Sequence, residues 1–123
     1  MISVFIYDDN AARVESLMAL LELTDNMKFV GKASNCSHVE GDMRSASPDV
    51  VLMDIEMPEV DGIEGVYRIK HHFPYIKVIM QTVYENEEKI FACLQHGADG
   101  YILKKASIQS IIESITEVFN GGA

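Results

Sequence analysis

At 123 residues, 48% of them hydrophobic and 24% charged, the chain has the length and balance of one globular domain built on a single core. Its 10 basic residues stand against 19 acidic ones, a net charge of −9, so this domain is not expected to grip nucleic acid or anionic lipid, which needs clustered positive charge. The chain does not open on a basic and then apolar leader, and its apolar runs fall well short of the roughly 18 residues of a membrane span. A cytoplasmic location without membrane contact is expected. Cys36 and Cys93 lack CxxC spacing and read as small apolar side chains in a reducing compartment.

The first apolar run, residues 2–7, reads as a strand and ends at the acidic pair Asp8-Asp9. A helix follows, with Val14, Leu17, Met18 and Leu21 on one face. Residues 28–33 make a second strand, and residues 37–46 the least apolar helix, with Gly41 inside it. A third strand over 49–54 closes on Asp54. Asp61 with Glu64 three residues on has capping-box spacing for a third helix. Ile63, Val66, Ile69 and Phe73 share one face of it, and Pro74 stops it. Residues 76–82 form a fourth strand ending at Thr82, and a helix near 85–96 should end at Gly97. The fifth strand, 99–103, ends at Lys104. In the last helix Ile108, Ile111, Ile112, Ile115 and Phe119 recur at steps of three and four, which predicts one buried stripe. Residues 1–119 are therefore expected to form the domain, with 120–123 beginning a linker or marking a boundary.

Five strands alternating with five helices predict an α/β fold, a doubly wound five-stranded parallel sheet covered on both faces. In the common small order 2-1-3-4-5, ligands bind at the carboxyl ends of strands 1 and 3. Asp8, Asp9 and Asp54 fall there, and Thr82 and Lys104 reach the same edge from strands 4 and 5. Carboxylate oxygens suit a hard cation, and Mg2+ commonly uses one or two of them with waters and a phosphate. Three such groups also repel, by roughly 1–4 kcal/mol per pair at 4 Å in surface-like dielectrics, so a cation or Lys104 is needed to offset them. Other ion and nucleotide sites fit poorly. Read as an EF-hand, the segment from Asp54 puts Pro58 on a ligand position and Glu59 where the turn needs Gly, and the chain has no GxxxxGK[ST] loop. His38, His71, His72 and His96 are scattered, with His71-His72 expected at a solvent-facing helix end, and the methionines read as core filler.

Tyr7-Asp8-Asp9-Asn10, the run Val51 to Gly62 around Asp54, Thr82, and the run Gly97 to Lys104 together resemble the receiver domain of bacterial two-component response regulators, over essentially the whole chain. The resemblance implies a flavodoxin-like (βα)5 fold and phosphoryl transfer from a sensor histidine kinase or phosphotransfer protein to Asp54. It implies Mg2+ held by Asp8, Asp9, Asp54 and the Glu56 carbonyl, with Lys104 and Thr82 gripping the phosphoryl group and Thr82 and Tyr101 acting as the switch pair. It further implies self-directed chemistry in place of turnover of a separate metabolite, and a possible phosphorylation-dependent homodimer. Two departures stand out. Val83 occupies a position that is usually small, and with Tyr84 it puts bulk beside the phosphoryl group, which is expected to slow hydrolysis, whereas Glu56 would oppose this by orienting water. Lys105 stands where a cis-linked proline is common, and a cis bond without proline costs about 2.5–4 kcal/mol.

Lys105-Ala106-Ser107 and Gly97-Ala98-Asp99-Gly100-Tyr101 look most like receivers that precede a LuxR-type helix-turn-helix DNA-binding domain. The expected role is the input half of a transcription regulator. The alternatives are a free-standing receiver acting by protein contact and a Mg2+-dependent phosphohydrolase, for which no substrate-cap segment is visible.

Overall fold

The computed structural model describes residues 1–83 and 87–122. Five strands, β1 (Ile2–Tyr7), β2 (Met27–Ala33), β3 (Val50–Asp54), β4 (Lys77–Thr82) and β5 (Gly100–Leu103), alternate with five helices. These are α1 (Ala11–Leu23), α2 (Val39–Ala46), α3 (Gly62–His72), α4 (Glu87–Gln95) and α5 (Ile108–Phe119). All four strand pairings are parallel, in the order β2-β1-β3-β4-β5. That is the expected doubly wound fold.

The central strands β1, β3 and β4 are buried at every position but Lys77, and mostly apolar, because both faces are covered. Phe5, Tyr7, Val51, Met53, Val78 and Met80 project to one side and pack with Val39, Met43, Val66, Ile69 and Cys93 of α2, α3 and α4. Ile2, Val4, Ile6, Val50, Leu52, Ile79 and Ile102 project to the other and meet α1 and α5 through Val14, Leu17, Leu21, Ile111, Ile115 and Val118. Both cysteines are free and buried, as their spacing suggested. Burial pushes the Cys36 thiol up to about 12 and the Cys93 thiol up to about 11, so both stay protonated and pack as apolar groups. Between Val4 and Phe5 the β1–β2 register slips by one residue. Gly31 sits there because a Cβ would lie 2.5 Å from the Phe5 ring.

Helix ends follow the predicted chemistry with one shortfall. The Asp61 side chain accepts from the Ile63 and Glu64 N–H groups. Glu64 does not complete the box; its carboxylate pairs forward with Arg68 at 2.9 Å. Gly97 adopts φ +101°, and the N–H groups of Gly97 and Ala98 close α4 on the Leu94 and Cys93 carbonyls, each at 3.0 Å. The stripe of α5 needs correction. Ile108 is 64% exposed and Phe119 41%, and the buried line runs through Ile111, Ile115 and Val118, with Ile112 at its margin. Ile108 is the first residue of α5, and at the other end Val118, not Phe119, faces Gly100 of β5. No cis peptide occurs among the described residues, so the Lys104–Lys105 bond is trans. Likewise, no helix among them is long and apolar enough to cross a membrane.

Candidate functional site

The parallel register delivers four chain ends to one edge. Tyr7 lies beside Met53, Asp54 beside Gln81, and Thr82 beside Leu103, so the residues that follow each strand gather there. Each is then fixed by the backbone. The Asp8 N–H donates to the Ala33 carbonyl at 3.1 Å, and the Lys104 N–H to the Thr82 carbonyl at 2.8 Å. Beneath Asp54 the chain turns so tightly that a Cβ on Gly62 would lie 2.0 Å from the Asp54 carbonyl oxygen. The Gly62 N–H meanwhile donates to the Ile55 carbonyl at 2.9 Å.

Carboxylate oxygens of Asp8, Asp9 and Asp54 come within 4.8 Å of one another. Asp8 and Asp54 are buried and Asp9 is exposed. Lys104 Nζ bridges the two buried acids, 3.0 Å from Asp8 Oδ2 and 3.0 Å from Asp54 Oδ2. The other oxygen of Asp8 accepts from the Asn10 N–H at 2.9 Å, and Asn10 in turn caps α1 through the Arg13 N–H at 3.1 Å. Burial raises the Asp54 carboxyl above its ordinary range, the Lys104 hydrogen bond and charge work against this, and Asp8 and Asp9 add to it. A crowded carboxylate set of this kind, two of its three members buried, has the hard oxygen donors that a divalent cation prefers.

The remaining expected residues lie around this cluster. Thr82 is buried at the end of β4, and Val83 beside it is exposed. Tyr84 lies outside the described residues. Tyr101 projects from β5 with half of its surface exposed. The Glu56 side chain is exposed and pairs with Lys89 of α4.

Three neighbours escape the reading by motif: Lys89, Arg13 and Gln81. Arg13 Nε stands 3.7 Å from Asp8 Oδ2. Its guanidinium also donates to Gln81 Oε1 at 2.5 Å and to the Lys104 carbonyl at 3.2 Å. A signal for it was present: Arg13, Leu17 and Leu21 are spaced by four, which places a cation on the buried stripe one turn from the acidic pair.

A family model for the response regulator receiver domain matches residues 4–116. The chain belongs to the receiver domain family. The transcriptional regulatory protein LnrK of Bacillus subtilis is 35% identical to this receiver over 122 residues, 99% of this chain and 56% of LnrK. The chain thus spans about half the length of the curated relatives it matches, 56% of LnrK and 56% of the transcriptional regulatory protein MctR of Rhizobium johnstonii. Among solved structures, the response regulator domain of Thermotoga maritima CheB superposes with a TM-score of 0.89 at 29% identity, covering 98% of this receiver and 97% of that chain. A LuxR-family DNA-binding response regulator from Staphylococcus aureus gives 0.90 at 27% identity, covering 98% and 100%. This receiver is therefore a signalling module of two-component response regulators, and its relatives include transcriptional regulators.

Proposed function

We propose that this receiver accepts a phosphoryl group on Asp54 from the phosphohistidine of a sensor kinase or phosphotransfer protein, in a transfer that depends on Mg2+. The observation that carries this reading is the Lys104 ammonium bridging Asp8 and Asp54 at 3.0 Å each, beside the exposed Asp9. An Asp54 carboxylate oxygen forms the bond to phosphorus while the phosphorus–nitrogen bond to the donor imidazole breaks, its electron pair leaving with the histidine. Lys104 passes from its carboxylates to a phosphoryl oxygen, and the Thr82 hydroxyl donates to another. Asp8, Asp9, Asp54 and the Glu56 carbonyl would hold the metal, which when bound neutralises charge on the phosphoryl oxygens. The protein's contribution is mainly position and fixed charge.

Residues 1–119 are the folded receiver in this reading, and Asn120 onward leads into a linker. The output is a DNA-binding regulator, a reading supported by the transcriptional regulatory proteins LnrK and MctR and by the DNA-binding response regulator from Staphylococcus aureus. Val83, exposed next to Thr82, and Glu56, two residues past Asp54, set the lifetime of the acyl phosphate. In the test, the protein is incubated with Mg2+ and a small acyl phosphate, and its intact mass should rise by one phosphoryl group. Asp54→Asn should abolish the gain, because an amide is not a comparable nucleophile. Equal modification of wild type and variant would refute the assignment.

A further inference from the structure

We propose that Arg13 is a resident counter-ion of Asp8 that competes with the divalent cation and lowers the affinity of the site for it. The inference rests on the metal reading above and adds a residue to it. The Asp8 side chain is fully shielded from solvent and that of Arg13 is 19% exposed, so the charges face each other at 3.7 Å with little water to screen them.

Arg13 acts here by charge and not by orienting its neighbour. Its Nε makes no hydrogen bond, and 3.7 Å is too long for one to Asp8. Asp8 takes its orientation from the Asn10 N–H on one oxygen, while its other oxygen makes a closer ion contact, at 3.0 Å, with Lys104. Nor is the guanidinium at liberty to leave when a metal arrives. One arm is held by Gln81, a residue wholly buried in β4, and another by the Lys104 carbonyl. It also keeps its charge at any ordinary pH.

Three carboxylates against Lys104 alone would carry two net negative charges, which one dication would cancel. Arg13 removes one of those charges in advance. Metal therefore binds against a fixed positive neighbour, and only the negative charge that a phosphoryl group brings would offset it.

The test is a Mg2+ titration at constant ionic strength, followed through the amide NMR signals of Asp8 to Asn10. Arg13→Met should bind Mg2+ about tenfold more tightly than wild type, the scale set by removing a unit charge a few ångströms from the ion. Arg13→Leu/Gln81→Leu should show the same gain. That double variant removes the wholly buried Gln81 amide together with its partner, leaving only the Lys104 carbonyl without its donor, and so keeps the test valid if Arg13→Met is poorly folded. Affinity that is unchanged or weaker in the folded variants overturns the proposal and leaves Arg13 as a tie between α1 and the strand ends. Asp9→Ala serves as the separate control. If it does not reduce the wild-type response, the metal reading itself falls; if it does, while the Arg13 variants match wild type, only the present inference falls.

Discussion

Asp54 has a conflict of environment that can be read out as stability. Burial and the charges of Asp8 and Asp9 push its carboxyl upward against the pull of Lys104, so the folded chain holds this proton to higher pH than the unfolded chain does. Between the ordinary value of 3.8 and the raised one, the folded state binds more protons, and stability falls as pH rises. Above that window the ionised group costs stability. Asp54→Asn should therefore melt a few degrees higher than wild type at neutral pH with chelator present, and the gap should narrow as pH falls toward 3.8. Thermal melts across that range decide the matter, and a variant less stable than wild type at neutral pH would contradict it. Acids elsewhere do different work. Asp49 accepts from both the N–H and the hydroxyl of Ser3, at 2.9 and 3.0 Å, and Asp99 accepts from the Val78 N–H at 2.8 Å and pairs with Lys70 at 3.1 Å. These carboxylates tie the amino-terminal edge of the sheet, away from the site.

The loop and first turn of α3 bind local structure to chemistry. Asp61 caps the helix, and Gly62 lies against the Asp54 carbonyl. Asp61→Ala should lose about 1 kcal/mol, the usual cost of an N-cap, and keep most of the phosphorylation rate. Gly62→Ala should lose roughly 1–3 kcal/mol, as overpacking does, and also slow phosphorylation, because the new methyl meets backbone that holds the nucleophile. Denaturant melts paired with acyl phosphate kinetics would separate the two effects; an undiminished rate in Gly62→Ala would show that the loop yields without moving Asp54. The same scale explains the misplaced stripe of α5. Steps of three and four admit either Phe119 or Val118 at the last turn, and the sheet selects Val118, whose methyl sits 3.5 Å from where a Gly100 Cβ would be.

Across the whole molecule, the site and the α4–β5 surface are joined by one strand end. Thr82 is buried beside Leu103, and Tyr101 stands two residues back with its ring half exposed. In the proposed switch, a phosphoryl group draws Thr82 inward and Tyr101 fills the space behind it, a shift between two packings driven by contacts that exist in only one of them. Addition of Mg2+ and beryllofluoride should then bury the Tyr101 ring and move its NMR signals. Ring signals that stay in place would leave Tyr101 out of the switch.

Sequence alone was sufficient for the alternation of strands and helices, because doubly covered strands read as near-continuous apolar runs and amphipathic helices repeat at the helical period. It was also sufficient to place Asp8, Asp9, Asp54, Thr82 and Lys104 at one edge, since each lies at or just past the end of an apolar run and a parallel sheet sends every such end to the same side. What periodicity left open was lateral: which strands are neighbours, which residue of α5 meets β5, and whether an acid is a ligand or a tie. Those depend on contacts between distant parts of the chain. Tertiary structure alone brought Lys89 to Glu56 and set Arg13 between Asp8, Gln81 and the Lys104 carbonyl. A charge on a helix has no assigned partner until packing of the helix against the sheet decides which groups it faces.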